Sequence, residues 1–496
     1  MLVLRKIHET AAATPRKLAL VFNGAPLTYG SFWRFIEGCR RSLEPQLPTR
    51  GLAVVWVDSL LEAWILELAL RALGLDTANV RSADQADLFV GPDVAGVITL
   101  ASEGKEVAAP AGARRLVLEA PSRQAVDFAA PLPTFPAIGR PGGHVTLTSG
   151  TTGLYKRVLG HVGNDWDAVE RRRQRYADLG PDFLQPGPDT VLNLFNLALW
   201  SSGGHGWPIF VWALGGAVAL DQRQELQRAF DWPGLTHTLA TPLYLAQLMA
   251  LPEGAFPFLP QMQLIVNSGA VGPALARETM RRLTPRLLIN MSSTEAGGWA
   301  RSLVRSEEDL RWYPIDRGRV VEVVDENDAP LPPGKLGRVR VALTQDNATE
   351  YLDDPDTTKS FFSGAWFYSG DLGELDGKGR IALSGRVSDI VSVGGVKLPA
   401  EPFESAIRER LGADAVCVLT DNRRTGAEEA HVFVESRRDI ARQDLEAAVR
   451  EVLAAFGEVR VHVAASLPRT PTGKVRRLDI VRRLHDGGFE PGPSGA

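Results

Sequence analysis

A short segment rich in glycine and threonine is the first candidate for chemistry. Residues 145–158 read VTLTSGTTGLYKRV, so an apolar strand leads into small, hydroxyl-bearing residues that are followed by Lys156. Small residues let successive backbone N–H groups converge on an anion, hydroxyls add donors, and a lysine adds positive charge. The segment is not a Walker A loop, because its Lys does not follow a Gly directly and precedes no Ser or Thr. It predicts a cradle for nucleotide phosphates, although a surface loop has the same composition.

Four segments downstream of this loop carry further charged or hydroxyl-bearing residues. They are MSSTE (291–295), YSGDLG (368–373), GRVSDIVSVGGVKLPAEPFE (385–404) and PRTPTGKVRR (468–477). Alone, each has an ordinary structural explanation, since S-G-D and VGGVK are typical of turns and Lys474 is typical of a surface lysine. In this order, however, the five segments resemble the motifs of the adenylate-forming superfamily. That family includes acyl-CoA synthetases, adenylation domains of nonribosomal peptide synthetases and luciferases.

The resemblance implies a reaction in two steps. An acid carboxylate attacks the α-phosphate of ATP, pyrophosphate leaves, and a thiol then takes the acyl group, with charge stabilisation as the main source of catalysis. The implied phosphate contacts are Thr148, Ser149, Gly150, Thr151, Thr152, Gly153 and Lys156. The implied catalytic residues are Lys474, which reaches both the carboxylate and the α-phosphate, Thr294, which contacts the α-phosphate or AMP, Glu295, which is associated with Mg²⁺, and Lys156.

The same resemblance assigns contacts to the nucleotide and to the thiol. The implied adenine, ribose and phosphate contacts are Ser268, Gly269, Ala270, Met291, Ser292, Asp371 and Arg386. A carboxylate such as Asp371 has the two acceptor oxygens that a ribose diol requires. The family rotates its C-terminal domain between the two steps, and the hinge falls on Ser388. Gly394 and Gly395 would line a tunnel for a pantetheine arm, and Lys397 would face the nucleotide in the second state.

Several positions depart from the family pattern. Tyr155 stands where Pro is usual, Arg157 where Gly is usual, and Ser388 where Asp or Lys is common at the hinge. Met291 replaces the aromatic ring that stacks on adenine, and Ser292 replaces the Gly after it. A methionine still packs on a purine through its polarizable sulfur. Because the charged residues of the motifs are retained, we interpret the chain as an atypical but active member.

The acyl pocket is the least readable part of the sequence. Asn196 aligns with the position where amino-acid-activating members place an Asp that pairs with the substrate ammonium, and Trp200 and Gly203 would line the same pocket. A buried ammonium without that partner is costly, which disfavours an α-amino acid. Aryl-acid-activating relatives carry Asn there, where it hydrogen-bonds a ring hydroxyl. The alternative is that Asn196 only satisfies backbone groups at a strand end.

The prediction for function is an ATP-dependent ligase that joins an aromatic or other non-amino carboxylic acid to CoA, with ATP and Mg²⁺ as cofactors. One alternative loads the phosphopantetheine of a separate carrier protein, and another passes the activated acid to an amine or a different nucleophile. A third is a nucleotide-binding pseudo-enzyme with a regulatory role. Retention of Lys156, Glu295, Asp371, Arg386 and Lys474 argues against the third.

The elements that must position these residues follow an alternating pattern. Apolar strands and amphipathic helices, such as the LAVVWV run (52–57) and the helix after it, predict an α/β fold with parallel and mixed sheets. Apolar–polar alternation from about residue 315 predicts a small antiparallel subdomain. The expected division is 1–384 for the N-terminal domain, 385–392 for the hinge, 393–486 for a small mobile α+β domain and 487–496 for a flexible tail. The uncharged stretch 191–220 is interpreted as two buried strands flanking a core helix, not as a membrane span.

Composition excludes several other classes of protein. The chain has 496 residues, of which 44% are hydrophobic and 23% charged, so neither disorder nor a fibrous repeat is its main state. A formal net charge of −4 gives no indication of nucleic-acid binding or integral membrane association. The two cysteines, Cys39 and Cys417, and the charged N-terminus favour a reducing cytoplasm without a signal peptide. A monomer or a homodimer is expected.

Overall fold

The computed structural model describes residues 2–105, 109–123, 127–149, 155–160, 165–195, 202–223, 226–267, 269–387, 390–393, 396–421, 428–435, 441–453, 459–469 and 475–485. The helices are α1 Leu2–Ala13, α2 Tyr29–Leu43, α3 Leu60–Ala72, α4 Ala83–Ala86, α5 Asp165–Ala177, α6 Ser202–Ala213, α7 Pro242–Met249, α8 Pro273–Arg282, α9 Pro355–Phe361, α10 Glu401–Leu411, α11 Arg442–Val452 and α12 Arg477–His485. The strands are β1 Leu18–Phe22, β2 Ala25–Thr28, β3 Leu52–Trp56, β4 Asp76–Val80, β5 Val94–Leu100, β6 Arg114–Leu118, β7 His144–Ser149, β8 Tyr155–Gly160, β9 Val191–Leu194, β10 Ala217–Leu220, β11 His237–Ala240, β12 Gln263–Val266, β13 Leu287–Ser293, β14 Gly297–Leu303, β15 Tyr313–Pro314, β16 Val321–Val324, β17 Gly337–Ala342, β18 Phe362–Ser363, β19 Trp366–Leu375, β20 Arg380–Arg386, β21 Ile390–Val393, β22 Val396–Pro399, β23 Asp414–Asp421, β24 Glu428–Glu435 and β25 Val459–Ala464.

One sheet carries both flanks of the predicted phosphate loop. Its strand order is β6-β5-β3-β4-β7-β8, and all neighbours are parallel except β7 and β8. The predicted strand and helix around residues 52–73 are confirmed as β3 and α3, and the Ser59 side chain caps α3 by accepting from the Glu62 N–H. The β7–β8 hairpin sets Thr148 opposite Lys156, so residues on both sides of the loop lie next to each other.

A second, larger sheet carries the predicted pocket segments. Its order is β14-β13-β12-β11-β9-β10-β1-β2, with antiparallel pairs only at its two edges. The stretch 191–220 forms β9, α6 and β10, as predicted, and Pro208 lies inside α6. Within the described part of the chain, no helix is both long enough and apolar enough to cross a membrane.

The apolar–polar alternation that begins near residue 315 corresponds to an antiparallel sheet, as predicted. Its order is β15-β20-β19-β17-β16, and β18 pairs with β19. The register of β19 and β20 sets Asp371 opposite Arg386, with an irregularity between Leu372 and Gly373. Two residues from separate motifs are thereby brought onto neighbouring strands.

The C-terminal part has its own sheet and its own apolar clusters. The sheet order is β23-β24-β25, with β24 antiparallel to β23 and parallel to β25. Residues alternate between its two faces, so that Val432 packs in a cluster with α10 and α11 while Phe433 packs in a cluster with α12. The predicted fold class is therefore confirmed. The limits of the domains, the hinge and the tail stay predictions.

Candidate active site

Some of the predicted site residues lie outside the described residues. They are Gly150, Thr151, Thr152, Gly153, Asn196, Trp200, Ser268, Ser388, Gly394, Gly395 and Lys474. Ser149 and Lys397 are described through their strand pairing, with Tyr155 and Ser392 respectively. The geometry of the site is therefore that of the remaining motif residues.

Lys156 is surrounded by aromatic rings and by charged side chains. Its Nζ lies 3.3 Å from the centroid of the Phe361 ring and 4.8 Å from that of the Tyr351 ring. Its pKa is lowered to about 8, mainly by burial and also by the neighbouring Arg386, although Glu295 and Asp354 oppose the shift. A cation over aromatic faces is stabilised by the ring quadrupoles, yet no carboxylate of the described residues forms an ion pair with Lys156 to compensate its burial. This position suits a group that binds an incoming phosphate.

Glu295 is a buried carboxylate that follows β13. The Tyr351 hydroxyl donates a 2.7 Å hydrogen bond to Glu295 Oε1, and the Glu295 carbonyl accepts from the backbone N–H of Ala348. Burial, and then the Glu295 charge, raise the pKa of Tyr351, so this partner is a neutral donor. No lysine, arginine or histidine of the described residues forms an ion pair with Glu295. A hard, buried carboxylate oxygen without a paired cation fits a Mg²⁺ ligand.

Asp371 and Arg386 form an ion pair between β19 and β20. Arg386 Nε lies 2.9 Å from Asp371 Oδ1, and Arg386 Nη1 donates a 2.9 Å hydrogen bond to the carbonyl of Ser369. Gly370, between these residues, has φ +76°, and a Cβ there would lie 3.2 Å from Arg386 Nη1. The glycine thus permits both the left-handed backbone and the close approach of the guanidinium. The pair orients the two charged groups that the sequence predicts as nucleotide contacts.

The predicted adenine side is more open. Gly269, Ala270 and Ser292 are exposed, and Met291 is half-buried beside an irregularity in the β13–β14 pairing. Thr294 Oγ1 donates to Ser202 Oγ at 3.3 Å, which joins the end of β13 to the first turn of α6. Gly203 follows Ser202 in that turn.

A second group of titratable residues includes His144 on β7, the first strand of the β7–β8 hairpin. Ligand atoms of Glu67, His144 and His205 lie within 4.8 Å of one another. The two imidazole rings, however, are stacked 4.0 Å apart with an interplanar angle of 12°. A metal ion lies in the plane of each imidazole that binds it, and two nearly parallel rings share no such point. In addition, Arg71 Nη1 lies 3.5 Å from Glu67 Oε1, so these residues do not fit a shared ion in this arrangement.

Sequence reasoning missed the aromatic residues of the site. Tyr351 and Phe361 lie between motifs, in segments with no spacing signal of their own. Their role depends on long-range contacts, since Tyr351 and Glu295 are 56 positions apart. The structure, by contrast, brings Lys156, Glu295, Arg386 and Asp371 into one electrostatic neighbourhood.

Comparisons with known proteins identify relatives over most of the chain. A 4-chlorobenzoate–CoA ligase from an Arthrobacter species is 27% identical over 487 residues, which cover 92% of this chain and 90% of the relative. The fatty acid–[acyl-carrier-protein] ligase ScoC of Streptomyces coeruleorubidus is 27% identical over 355 residues, 68% of this chain and 66% of the relative. The structure of the amide bond synthetase McbA from Marinactinospora thermotolerans matches the fold with a TM-score of 0.78 at 21% identity, covering 97% of this chain and 99% of that one.

No protein-family model matches the chain. The five ordered motifs, the fold that carries them and the relatives nevertheless agree with one another. In its ordered motifs, its fold and its relatives, this chain is therefore similar to the adenylate-forming superfamily.

Proposed function

We propose that the chain is an ATP-dependent ligase that activates a non-amino carboxylic acid as its acyl-adenylate and transfers the acyl group to the thiol of CoA. The observation that carries this proposal is the convergence of Lys156, Glu295, Asp371 and Arg386 from separate motifs. Two cations and two carboxylates around one enclosure suit a triphosphate with its ribose and its metal ion.

In the first step, a carboxylate oxygen of the acid attacks the α-phosphorus of ATP, and the bond to pyrophosphate breaks. Lys156 would bind the departing phosphates, since its ammonium is poised to gain an anionic partner. Asp371 would accept from the ribose hydroxyls while its pairing with Arg386 holds its orientation. Glu295 would hold Mg²⁺, which supplies neutralisation of phosphate charge when bound. Lys474 would contact the α-phosphate and the carboxylate.

In the second step, a thiol attacks the acyl carbon and AMP leaves. CoA as acceptor is supported by the Arthrobacter relative, which is named a CoA ligase and matches the chain over nearly its whole length. Loading of a separate carrier protein is the second candidate, and the relative ScoC is named an acyl-carrier-protein ligase. Transfer to an amine or another nucleophile stays a third candidate.

The first step is tested by exchange of labelled pyrophosphate into ATP across a panel of carboxylic acids. The panel contains hydroxybenzoates, aminobenzoates, cinnamates, fatty acids and amino acids. We expect exchange that depends on a non-amino acid and falls by at least about 1,000-fold in Lys474→Ala and Glu295→Gln, because each change removes a charge at the reacting phosphates. Lys378→Ala, at an exposed lysine in the turn between β19 and β20, is the matched control. Exchange that is unchanged in Lys474→Ala contradicts the proposal.

The second step is tested with Gly395→Leu. If Gly395 lines the passage for the pantetheine arm, a leucine there blocks thioester formation but leaves the exchange reaction unchanged. Thioester yield is measured with CoA and with a phosphopantetheine-loaded carrier protein. Equal loss of exchange and of thioester in this variant would argue against a tunnel at this position.

A further inference from the structure

Five arginines lie close together behind the segments that predict the acyl pocket. They are Arg171, Arg172 and Arg175 on α5, Arg301 on β14, and Arg319. Two carboxylates lie among them. Arg301 makes a bidentate pair with Asp316, at 2.7 and 2.6 Å, and Arg171 Nε lies 3.1 Å from Asp346.

Among the described side chains, three guanidinium groups of this arginine cluster have no carboxylate of their own. Arg175 comes only within 4.0 Å of Asp316, which Arg301 already occupies on both oxygens. Arg172 instead donates to the carbonyl of Gly206 at 2.8 Å, and Arg319 donates to the carbonyl of Ala296 at 2.9 Å. Counted over the side chains that the structure describes, the cluster therefore carries an excess of positive charge.

Buried positive charge without a partner is costly, so such an excess indicates a missing anion. Donor atoms are also left over. Arg175 Nε, Arg301 Nη1 and Arg319 Nε are buried and have no hydrogen-bond partner among the residues that the structure describes. Each is a guanidinium donor, and a carboxylate accepts such donors in pairs.

Arg172 and Arg175 lie deep in the protein but retain accessible surface. Burial is the main cause that lowers the pKa of Arg172 to about 10, and it also lowers the pKa of Arg175. Nevertheless, both side chains are only partly buried, with 21% of the Arg175 side chain exposed. Each guanidinium group is therefore largely surrounded by protein and still reachable by a small solute.

The hydrogen bonds of these two arginines show which segments they lie against. Arg172 holds the carbonyl of Gly206 on α6, one turn after Ser202 and Gly203. Arg175 donates to the carbonyl of Gly298, which pairs with Ser292 next to Met291. Both segments belong to the predicted acyl pocket. The guanidinium groups thus lie behind the pocket, on the side formed by α5.

We propose that Arg172 and Arg175 bind a second anionic group of the acid substrate, a carboxylate remote from the one that is activated. The substrate class is then a dicarboxylic acid, and the inference rests on the proposed function. A site whose donors require a carboxylate rejects the analogue that lacks it, because those donors are left unpaired.

The test uses matched acids in the pyrophosphate exchange reaction. Isophthalate, terephthalate, glutarate and adipate are each compared with their monoamides, which keep one carboxylate and nearly the same shape. We expect kcat/KM for the preferred diacid to exceed that of its monoamide by about 100-fold. Where exchange is measurable, equal rates for diacids and monoamides in the unmodified protein overturn the inference, whatever the variants do.

Variants then assign the preference to the cluster. Arg175→Gln is expected to lower kcat/KM for the diacid by about 100-fold and to leave the monoamide within about threefold. Arg175→Lys, which keeps the charge, recovers part of the loss. The matched control is Arg173→Gln, on the outer face of the same helix, where the side chain is 55% exposed and pairs with Glu170. A diacid preference that survives in Arg175→Gln, with thermal unfolding unchanged, contradicts the assignment.

Calorimetric titration of the diacid without ATP separates this inference from the proposed function. Diacid binding that is lost in Arg175→Gln, with no exchange for any acid, supports the anion site and argues against the ligase. Exchange with monoacids and with no diacid preference leaves the ligase in place and overturns the anion site.

Discussion

At the scale of single residues, the candidate site contains two charged groups, Lys156 and Glu295, that form no ion pair with another described residue. Lys156 is held between the rings of Tyr351 and Phe361, and Arg386 adds to the positive potential around it. Glu295 accepts its hydrogen bond from a neutral tyrosine and not from a cation. The described protein groups stabilise each of these charges only in part, which is why we propose a phosphate chain and a metal ion as their partners.

The depressed pKa of Lys156 predicts a pH dependence of ATP binding. The ordinary pKa of lysine is 10.5, and that of Lys156 is about 8, so its positive charge in the free protein is lost as the pH rises through 8. Bound phosphate favours the charged form. The affinity for ATP should therefore fall above about pH 8, and binding at about pH 8.5 should take up protons.

Titration calorimetry in buffers of different ionisation enthalpy measures this proton uptake. Lys156→Arg, which stays charged, should remove the uptake, whereas Lys359→Ala, an exposed lysine on α9, should retain it. An ATP affinity in the unmodified protein that is constant between about pH 7.5 and 9.5 would show that Lys156 does not contact the phosphates.

At the scale of elements, the β19–β20 pair determines how the Asp371–Arg386 ion pair is presented. Gly370→Ala should raise the KM for ATP by about 10-fold, because the new Cβ would lie 3.2 Å from Arg386 Nη1. It should also destabilise the fold by about 1–2 kcal/mol, since φ is +76° at this position.

The turn that joins β19 to β20 provides a control for the backbone effect. Gly379 has φ +82°, and a Cβ added there would have no atom within 4 Å, so Gly379→Ala introduces the same strain without touching Arg386. Chemical denaturation should report similar losses of stability for both variants, and only Gly370→Ala should change the KM. If both variants raise the KM equally, the effect comes from the sheet and not from the ion pair.

Most elements, and part of the site, could be predicted from the sequence. Strands such as β3, β9 and β10 are short apolar runs between breakers, and α3 follows a helical period, so local pattern suffices for them. The motif residues could be predicted because they occur in the same order as the motifs of a known family. Tyr351 and the arginine cluster could not, because their environment comes from residues far apart in sequence: Arg175 and Gly298 are 123 positions apart.

At the scale of the whole molecule, one buried polar cluster joins three elements of the N-terminal part. Glu67 on α3 lies 2.8 Å from His205 Nδ1 on α6 and 3.7 Å from His144 Nδ1 on β7. Although burial alone would raise it, the positive groups around Glu67, with His205 first, lower the pKa of this carboxyl. Burial, and then His205, lower the pKa of His144 to about 3. The β7–β8 hairpin is thereby linked to α3 and α6 through groups that acid would protonate.

This cluster predicts a loss of stability in acid. The ordinary pKa of histidine is 6.5, so between about pH 6.5 and 3 the unfolded chain binds a proton that folded His144 does not, and stability falls as the pH falls. His237 on β11, with a pKa lowered to about 4 by burial, acts in the same direction. Each contributes up to about 1.4 kcal/mol per pH unit to the free energy of unfolding. Urea denaturation at about pH 7.5, 6.0 and 5.0 measures how steeply the free energy of unfolding depends on pH. His144→Asn and His237→Asn should each reduce this slope. The double variant should reduce it by the sum of the two effects, because the two sites lie on different sheets. A slope that both single variants leave unchanged would place the acid sensitivity elsewhere in the molecule.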